Sequence, residues 1–521
     1  MKTLKSYVQG NWIAGTGSPA ALFNPTTGAQ IAECSSEGID FGAACRYARE
    51  VGGPALRALT FSERGKLLKA LSLALHECRE ELLDISQENA GNTRGDAKFD
   101  VDGATGTLAA YAHFAKELPD TKHLADGDGV QLGRTARFWG QHISVPRGGV
   151  AVHINAFNFP GWGMFEKLSC AILAGMPVIA KPGTPTAWPA FRMAEIVVAS
   201  GILPEGAFQF VAGSAGDLLA HLGPQDVVAF TGSASTGAKI KGHPNLVANN
   251  VHVNVEADSL NAVVFAPDVS TDSDTYGEFL ANTVREMTQK TGQKCTAARR
   301  ILIPADRVEE MAAELAAALG RITVGNPKEK TTNMGPVTTA SQFAELRAGI
   351  DHFAAAGRIV CGGSEPALAV GWFLSPTLIV AGDSEDPTFH SRELFGPVAT
   401  ILPYDASKGA AEAARLANLG GGSLLGAIYC DDGDWARDCV LAMAPWHGRL
   451  WTVSKRVAGQ ATFPGMVLPS MIHGGPGRAG GGEELGGLRG LGDYLQRVAV
   501  QGFGPWVKAE FGASEALEAS S

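Results

Sequence analysis

The run Val227-Val228-Ala229-Phe230-Thr231-Gly232-Ser233-Ala234-Ser235-Thr236-Gly237 passes from an apolar segment through a Gly/Ser turn into a helix-forming stretch. A buried strand that turns into a helix aims free backbone N–H groups, and the positive end of the helix dipole, at whatever lies beyond the strand. A cofactor phosphate fits there. An ordinary strand-turn-helix junction capped by serine has the same local sequence, so the surrounding pattern must separate the two readings.

Similar apolar runs occur at Val150 to Ile154, Pro177 to Ala180, Ala207 to Val211 and Val251 to Val255, with helical stretches between most successive pairs. This βαβ repetition predicts an α/β fold with a parallel, doubly wound sheet, which binds ligands at the carboxyl ends of its strands. Before it, residues 40 to 117 read as helical, with Ser62-Glu63-Arg64 leading into a leucine-rich periodic stretch. A second α/β unit runs from Asn261-Ala262-Val263-Val264-Phe265 to about 460, so Glu256 ends one unit and Cys295 lies in the next. The glycine-rich segment Gly474 to Gly492 reads as a loop entering a C-terminal strand at Arg497 to Val500, and the tail Ala513 to Ser521 is expected to fray.

A chain of 521 residues is long enough for two or three domains, and 45% hydrophobic with 18% charged residues describes a globular protein. The net charge of −10 and scattered lysines and arginines give no polyanion-binding surface, so nucleic acid is not expected as a partner. Eight widely spaced cysteines without CxxC pairs point to reduced thiols rather than a disulfide or zinc framework. The N-terminus lacks the apolar core of a signal peptide, and no uninterrupted apolar run reaches the roughly 18 residues of a membrane span. The expected location is the cytoplasm.

Chemistry centres on Cys295, in Gln289-Lys290-Thr291-Gly292-Gln293-Lys294-Cys295-Thr296, preceded in the chain by Glu256 in Asn254-Val255-Glu256-Ala257-Asp258. A thiolate adding to an aldehyde forms a thiohemiacetal; after loss of hydride, a water activated by a carboxylate can hydrolyse the thioester. Either residue alone has a plain structural reading, the cysteine as a small buried apolar group.

Asn158, between Phe157 and Phe159 after a strand, can donate to an oxyanion or simply hold a turn. Lys181 ends another strand where a ribose or phosphate would bind, and Glu393-Leu394-Phe395-Gly396-Pro397 pairs a carboxylate with an aromatic in a turn. Gly475-Pro476-Gly477-Arg478-Ala479-Gly480 formally matches G-x-G-x-x-G but lacks both a clear preceding strand and a following nucleotide-binding unit. It reads as a structural loop. His153, His252 and His473 have no ligand spacing and read as structural residues, so no metal is assigned.

Taken in order, Asn158, Lys181, the Phe230 to Gly237 turn, Glu256, Cys295 and the Glu393 to Pro397 turn resemble the aldehyde dehydrogenase superfamily over nearly the whole chain. The resemblance implies a Rossmann-type dinucleotide-binding domain (1–128 and 147–257), a catalytic domain (258–470), and an oligomerisation region (129–146 and 471–521) that makes a homodimer. It implies Cys295 as nucleophile, Glu256 as the deacylation base, and Asn158 with the Cys295 N–H as oxyanion donors. It implies Lys181, Thr184, Gly213, Gly232, Ser233, Gly237, Glu393 and Phe395 as the cofactor-binding set.

Two departures refine it. The family often carries Glu three residues after the lysine, a carboxylate that repels a 2′-phosphate; Thr184 stands there, which predicts NADP, with NAD as the alternative. The stretch Glu256-Ala257-Asp258-Ser259-Leu260-Asn261, with the segment from His473 to Glu484, resembles a branch of semialdehyde dehydrogenases that act on CoA thioesters in aerobic aromatic catabolism. That branch implies a CoA-linked aldehyde and release of the free acid. A CoA-acylating dehydrogenase, an enzyme for a different free aldehyde, and a noncatalytic binding protein are the alternatives. Arg299, Arg300, Arg449, Lys455 and Arg478 are candidates to contact CoA phosphates, and each has an equally simple surface or packing reading.

Overall fold

Short Val/Ile/Ala runs bounded by glycine or proline form strands where the pattern expects them, in a computed structural model that describes residues 1–512. The tail expected to fray, 513–521, lies outside the described residues. Five parallel strands are ordered His252–Glu256, Val227–Thr231, Ala151–Ile154, Val178–Lys181, Phe208–Phe210. An N-terminal antiparallel pair, Ser6–Val8 and Asn11–Ile13, extends this sheet to seven strands. These N-terminal strands are too short to show a period of two, and the sequence pattern does not reveal them.

Helices Trp162–Ala174 and Ala187–Ser200 follow two of the strands and bury apolar faces on the sheet together with Phe61–Glu77, Arg79–Ala90 and Arg94–Phe114. The helix Phe61–Glu77 starts one residue before Ser62 because Thr60 forms a capping box with Glu63.

The second sheet, also seven-stranded, is ordered Gly357–Cys361, Thr377–Ala381, Val398–Tyr404, Arg300–Pro304, Ala262–Phe265, Ser423–Tyr429, His447–Val453. All its pairings are parallel except that of the Gly357–Cys361 edge strand. It has its own core around Phe265, Phe279, Ile301, Leu302, Ile401 and Ile428.

Strands Leu124–Gln131, Phe138–Pro146 and Leu495–Phe503 form a separate antiparallel sheet, the last strand being longer than the expected Arg497 to Val500. The glycine-rich segment before it is more than a loop. Ile472–Gly474 pairs with Glu483–Leu485, setting His473 opposite Glu484.

The glycines there permit close backbone approach. A Cβ on Gly480 would meet the Val255 carbonyl oxygen at 2.3 Å, and one on Gly482 would meet Asn254 Oδ1 at 2.2 Å. Ala257 N–H donates to the Ala479 carbonyl (2.9 Å) and Gly482 N–H to that of Val255 (3.0 Å). This packing brings the far C-terminal hairpin to the end of the Glu256 strand. Among the described residues, no helix is long and apolar enough to cross a membrane.

Candidate active site

Cys295, Glu256, Asn158 and His473 line one cavity, together with Phe99, Phe159, Trp162, Glu166, Thr231 and Val467. Apolar walls around few polar groups suit a small organic substrate.

The cysteine is held by a strained turn. Lys290, Thr291 and Gly292 take left-handed φ values of 53°, 56° and 66° in succession, a conformation that costs about 1 kcal/mol or more per non-glycine residue and needs compensating contacts. Those contacts are present. Lys290 donates from its backbone N–H to Asp96 Oδ1 (2.9 Å) and from Nζ to Asn92 Oδ1 (3.2 Å), while Thr291 Oγ1 donates to the Gly335 carbonyl (3.0 Å). A Cβ on Gly292 would meet the Gly396 carbonyl oxygen at 2.2 Å, so glycine is required there.

Asn261 Nδ2 donates to the carbonyls of Cys295 and Ala297, both at 2.8 Å, and its Oδ1 accepts from Ser259 Oγ (2.6 Å) and Leu425 N–H (3.0 Å). The unusual Glu256 to Asn261 stretch thus fastens the cysteine loop to the second sheet.

Asn158 Nδ2 donates to the Gln293 carbonyl at 3.1 Å, which leaves its second amide proton without an acceptor among the described residues. The Cys295 backbone N–H likewise has none there.

Glu256 ends its strand buried. Its Oε1 lies 3.1 Å from His473 Nε2, and the same nitrogen lies 3.4 Å from Cys295 Sγ. Burial pushes the Glu256 carboxyl up, but His473 at hydrogen-bond distance and Lys167 hold it below the usual carboxylate value. Burial, and next the Glu256 charge, push the Cys295 thiol well above its ordinary value. Burial opposes a charge on His473, yet Glu256 outweighs it and the imidazole titrates above the ordinary histidine value.

Behind Glu256, one of its carboxylate oxygens and one each from Glu166 and Glu484 lie within 4.8 Å of one another. Lys167 Nζ bridges Glu166 (3.2 Å) and Glu484 (3.0 Å). Burial pushes Glu484 well above the carboxylate range despite Lys167. His473, Glu166, Lys167 and Glu484 carry no readable signal in the chain, although the segment from His473 to Glu484 stands out as unusual.

The expected cofactor residues gather at the carboxyl edge of the first sheet. Lys181 ends its strand, and its ammonium, pushed down by burial, has no hydrogen-bond or ion-pair partner among the described residues. Thr184 Oγ1 donates to the Gly213 carbonyl (3.3 Å), and Gly213 has φ +122°, with a Cβ there 2.9 Å from the Ser36 nitrogen. Ser233 caps the helix Ala234–Lys241, and a Cβ on Gly237 would meet Val255 Cγ1 at 2.9 Å, so the helix packs tightly on its strand. Gly232 sits in the turn, where a Cβ would meet the Phe230 ring at 2.6 Å.

One feature there was not legible: Asp258 Oδ1 accepts the Ala234 N–H at 2.9 Å and shares the helix N-terminus. The exposed Ser233 and the unpartnered Lys181 still fit a dinucleotide.

Glu393 accepts from Ser259 N–H and from Arg299 Nε, each at 3.0 Å, and burial pushes its carboxyl up despite Arg299. The Phe395 ring meets Phe157 edge-on, with centroids 5.9 Å apart.

Two of the arginines expected as candidates for CoA contact are packing residues instead. Arg299 is buried and donates to the carbonyls of Gly396 (2.8 Å), Gly292 (3.0 Å) and Lys294 (3.2 Å). Arg300 is fully buried, donating to Leu260 (2.6 Å) and Ala417 (2.7 Å) carbonyls. Both are packing residues because the second sheet covers them. Arg478 donates to the Ser391 carbonyl (2.6 Å), Arg449 is half-buried with Nη1 on the Met466 carbonyl (2.7 Å), and Lys455 is exposed.

A thiol, a carboxylate and amide donors unpaired among the described residues, facing one cavity on two joined α/β units, suit carbonyl chemistry. The aldehyde dehydrogenase family matches residues 12–497, and the chain belongs to that family: it is an oxidoreductase. It is 44% identical over 480 residues, 91% of this chain and 93% of the relative, to the 3,4-dehydroadipyl-CoA semialdehyde dehydrogenase of Aromatoleum evansii. It is 42% identical over 171 residues, 32% of this chain and 50% of the relative, to the protein MaoC of Klebsiella aerogenes.

Solved structures share the fold. Lactaldehyde dehydrogenase from Escherichia coli aligns with TM-score 0.84 at 23% identity, covering 96% of this chain and 99% of that one. Betaine aldehyde dehydrogenase from Staphylococcus aureus, solved with NAD+, aligns with TM-score 0.84 at 23% identity over 96% and 95% of the two chains.

Proposed function

We propose that this dehydrogenase oxidises a CoA-linked semialdehyde, 3,4-dehydroadipyl-CoA semialdehyde in particular, to the free carboxylic acid with NADP as oxidant. The observation that carries the substrate is 44% identity sustained over 91% of the chain to a relative named for that aldehyde. In this reading the protein serves aerobic benzoate catabolism in the cytoplasm.

Cys295 Sγ attacks the aldehyde carbon, and the carbonyl oxygen takes its charge between Asn158 Nδ2 and the Cys295 N–H. A nicotinamide dinucleotide, held by the residues named below, would supply the hydride acceptor. Glu256, kept ionised, removes a proton from water, which attacks the thioester and returns the electron pair of the C–S bond to sulfur. Glu166, Lys167 and Glu484 carry that proton onward, since their polar atoms link Glu256 to the hairpin.

Lys181, Thr184, Gly213, Gly232, Ser233 and Gly237 hold the adenosine and phosphate end of the cofactor, and Glu393 with Phe395 the nicotinamide end. The absence of a carboxylate at Thr184 supports NADP over NAD.

The domain division is 1–128 with 147–257 for the cofactor, 258–470 for catalysis, and 129–146 with 471–521 for assembly. A homodimer is supported by the exposed Val130, Phe138, Val498 and Phe503 on the three-stranded sheet. Light scattering of the purified protein tests it.

The deciding experiment compares kcat/KM for a CoA semialdehyde and for its free counterpart, with product analysis. A CoA preference of at least tenfold and free acid formed without added thiol are expected. Equal rates would remove the CoA assignment, and product only with added thiol would make the enzyme acylating.

A further inference from the structure

Cys295 has a second neighbour that the reaction scheme above leaves unused. His473 is buried, and its Nε2 lies 3.4 Å from Cys295 Sγ and 3.1 Å from Glu256 Oε1. Its Nδ1 is buried with no hydrogen-bond partner among the described residues. The ring therefore exchanges protons through Nε2, the nitrogen that faces both sulfur and carboxylate.

We propose that His473 is a catalytic residue, the base that takes the thiol proton of Cys295 as sulfur attacks the aldehyde, with Glu256 orienting the imidazole and stabilising the imidazolium that forms. The inference rests on Cys295 being the nucleophile. The S–H bond breaks and its proton goes to His473 Nε2. The sulfur electron pair forms the C–S bond, and the carbonyl π pair moves to oxygen, where Asn158 meets it.

Glu256 alone is a poor choice for both proton transfers. Its carboxylate already accepts from the imidazole edge at 3.1 Å, and it is needed again for the water. The Cys295 thiol is pushed up by burial and by Glu256, so its proton does not leave unaided, and the acceptor is the fraction of His473 that is neutral. An imidazole in contact with sulfur supplies an acceptor.

The groups facing His473 account for its titration. Glu256 on its strand, Glu166 on the helix Trp162–Ala174 and Glu484 opposite in the hairpin are acidic. Arg449 on the strand His447–Val453 is basic, Lys167 stands behind Glu166 and Glu484, and Cys295 faces the ring from its loop. Glu256 prevails over burial and Arg449, which places the neutral, proton-accepting form above the ordinary histidine value.

The test is alkylation of Cys295 by iodoacetamide in the cofactor-free enzyme, followed by peptide mass mapping from pH 5.5 to 10, with C295A as blank. In the wild type the rate is expected to rise with an inflection between about 6.5 and 8.5, the ordinary histidine and thiol values. In H473Q the inflection is expected above about 8.5, with at least tenfold slower alkylation at pH 7. The single-turnover burst of NADPH is expected to fall about 10²-fold or more in the same variant.

H473F, which keeps a ring of similar shape, is the second variant if H473Q does not fold. A variant whose inflection and pH 7 rate stay within threefold of wild type overturns the assignment. So does a wild-type inflection above about 9, which needs no variant. Turnover surviving in C295A would instead defeat the function proposed above, whereas an inactive C295A beside an unchanged H473Q would defeat this inference alone.

Discussion

Replacing Asn158 by Ala removes one side-chain donor from the proposed oxyanion site, and its cost follows from the contacts. One amide proton of Asn158 is committed to the Gln293 carbonyl at 3.1 Å, which aims the other into the cavity beside Cys295. Loss of a single preorganised oxyanion donor costs about 2.7–4 kcal/mol, or 10²–10³ in rate. The Cys295 N–H remains as a second donor, so the low end, about 100-fold, is expected. KM should change little, because the donor is strongest where charge develops. The truncation also leaves the Gln293 carbonyl without this partner, at about 1 kcal/mol of stability. Single-turnover stopped-flow of reduced nicotinamide formation, with urea unfolding on the same sample, separates the two effects. A folded N158A whose burst rate stays within threefold of wild type, or whose loss lies wholly in KM, would refute the oxyanion assignment.

C295A is expected to abolish turnover and burst together, while E256Q should keep a burst and accumulate acyl-enzyme detectable by intact mass; full steady-state activity in E256Q would remove Glu256 as the deacylation base. T184E brings a carboxylate toward a 2′-phosphate, and two unit charges at about 4 Å repel by up to about 4 kcal/mol at an effective dielectric of 20. After screening at this half-buried site, the ratio of kcat/KM for NADP to that for NAD should fall at least tenfold; an unchanged ratio would mean that position 184 does not meet the adenosine ribose. Asp226 is buried and accepts from Val150 N–H (2.8 Å), Gly223 N–H (2.6 Å) and Arg49 Nε (3.1 Å). D226A should lower unfolding free energy by about 3 kcal/mol, with Arg49 partly rehydrated, and a loss under about 1 kcal/mol would show that the network is dispensable.

Much of the fold was readable because the strands of the first parallel sheet are buried on both faces. They appear in the chain as short Val/Ile/Ala runs closed by Gly or Pro, a signal that survives without any knowledge of neighbours. The N-terminal pair Ser6–Val8 and Asn11–Ile13 has no such signal, since it takes its place by hydrogen-bonding to an edge that exists only after the sheet forms.

By itself the sequence determined which residue types were present for aldehyde chemistry, in an order that matches one family, and it marked Glu256 to Asn261 and the segment from His473 to Glu484 as unusual. Tertiary structure alone decided what those stretches touch. His473 meets a carboxylate 217 positions earlier, and Lys167 meets one 317 positions later. Such distances along the chain leave no local pattern. A histidine among glycines looks like a turn residue until the glycines let its backbone close against the Glu256 strand and bring the imidazole to the sulfur of Cys295.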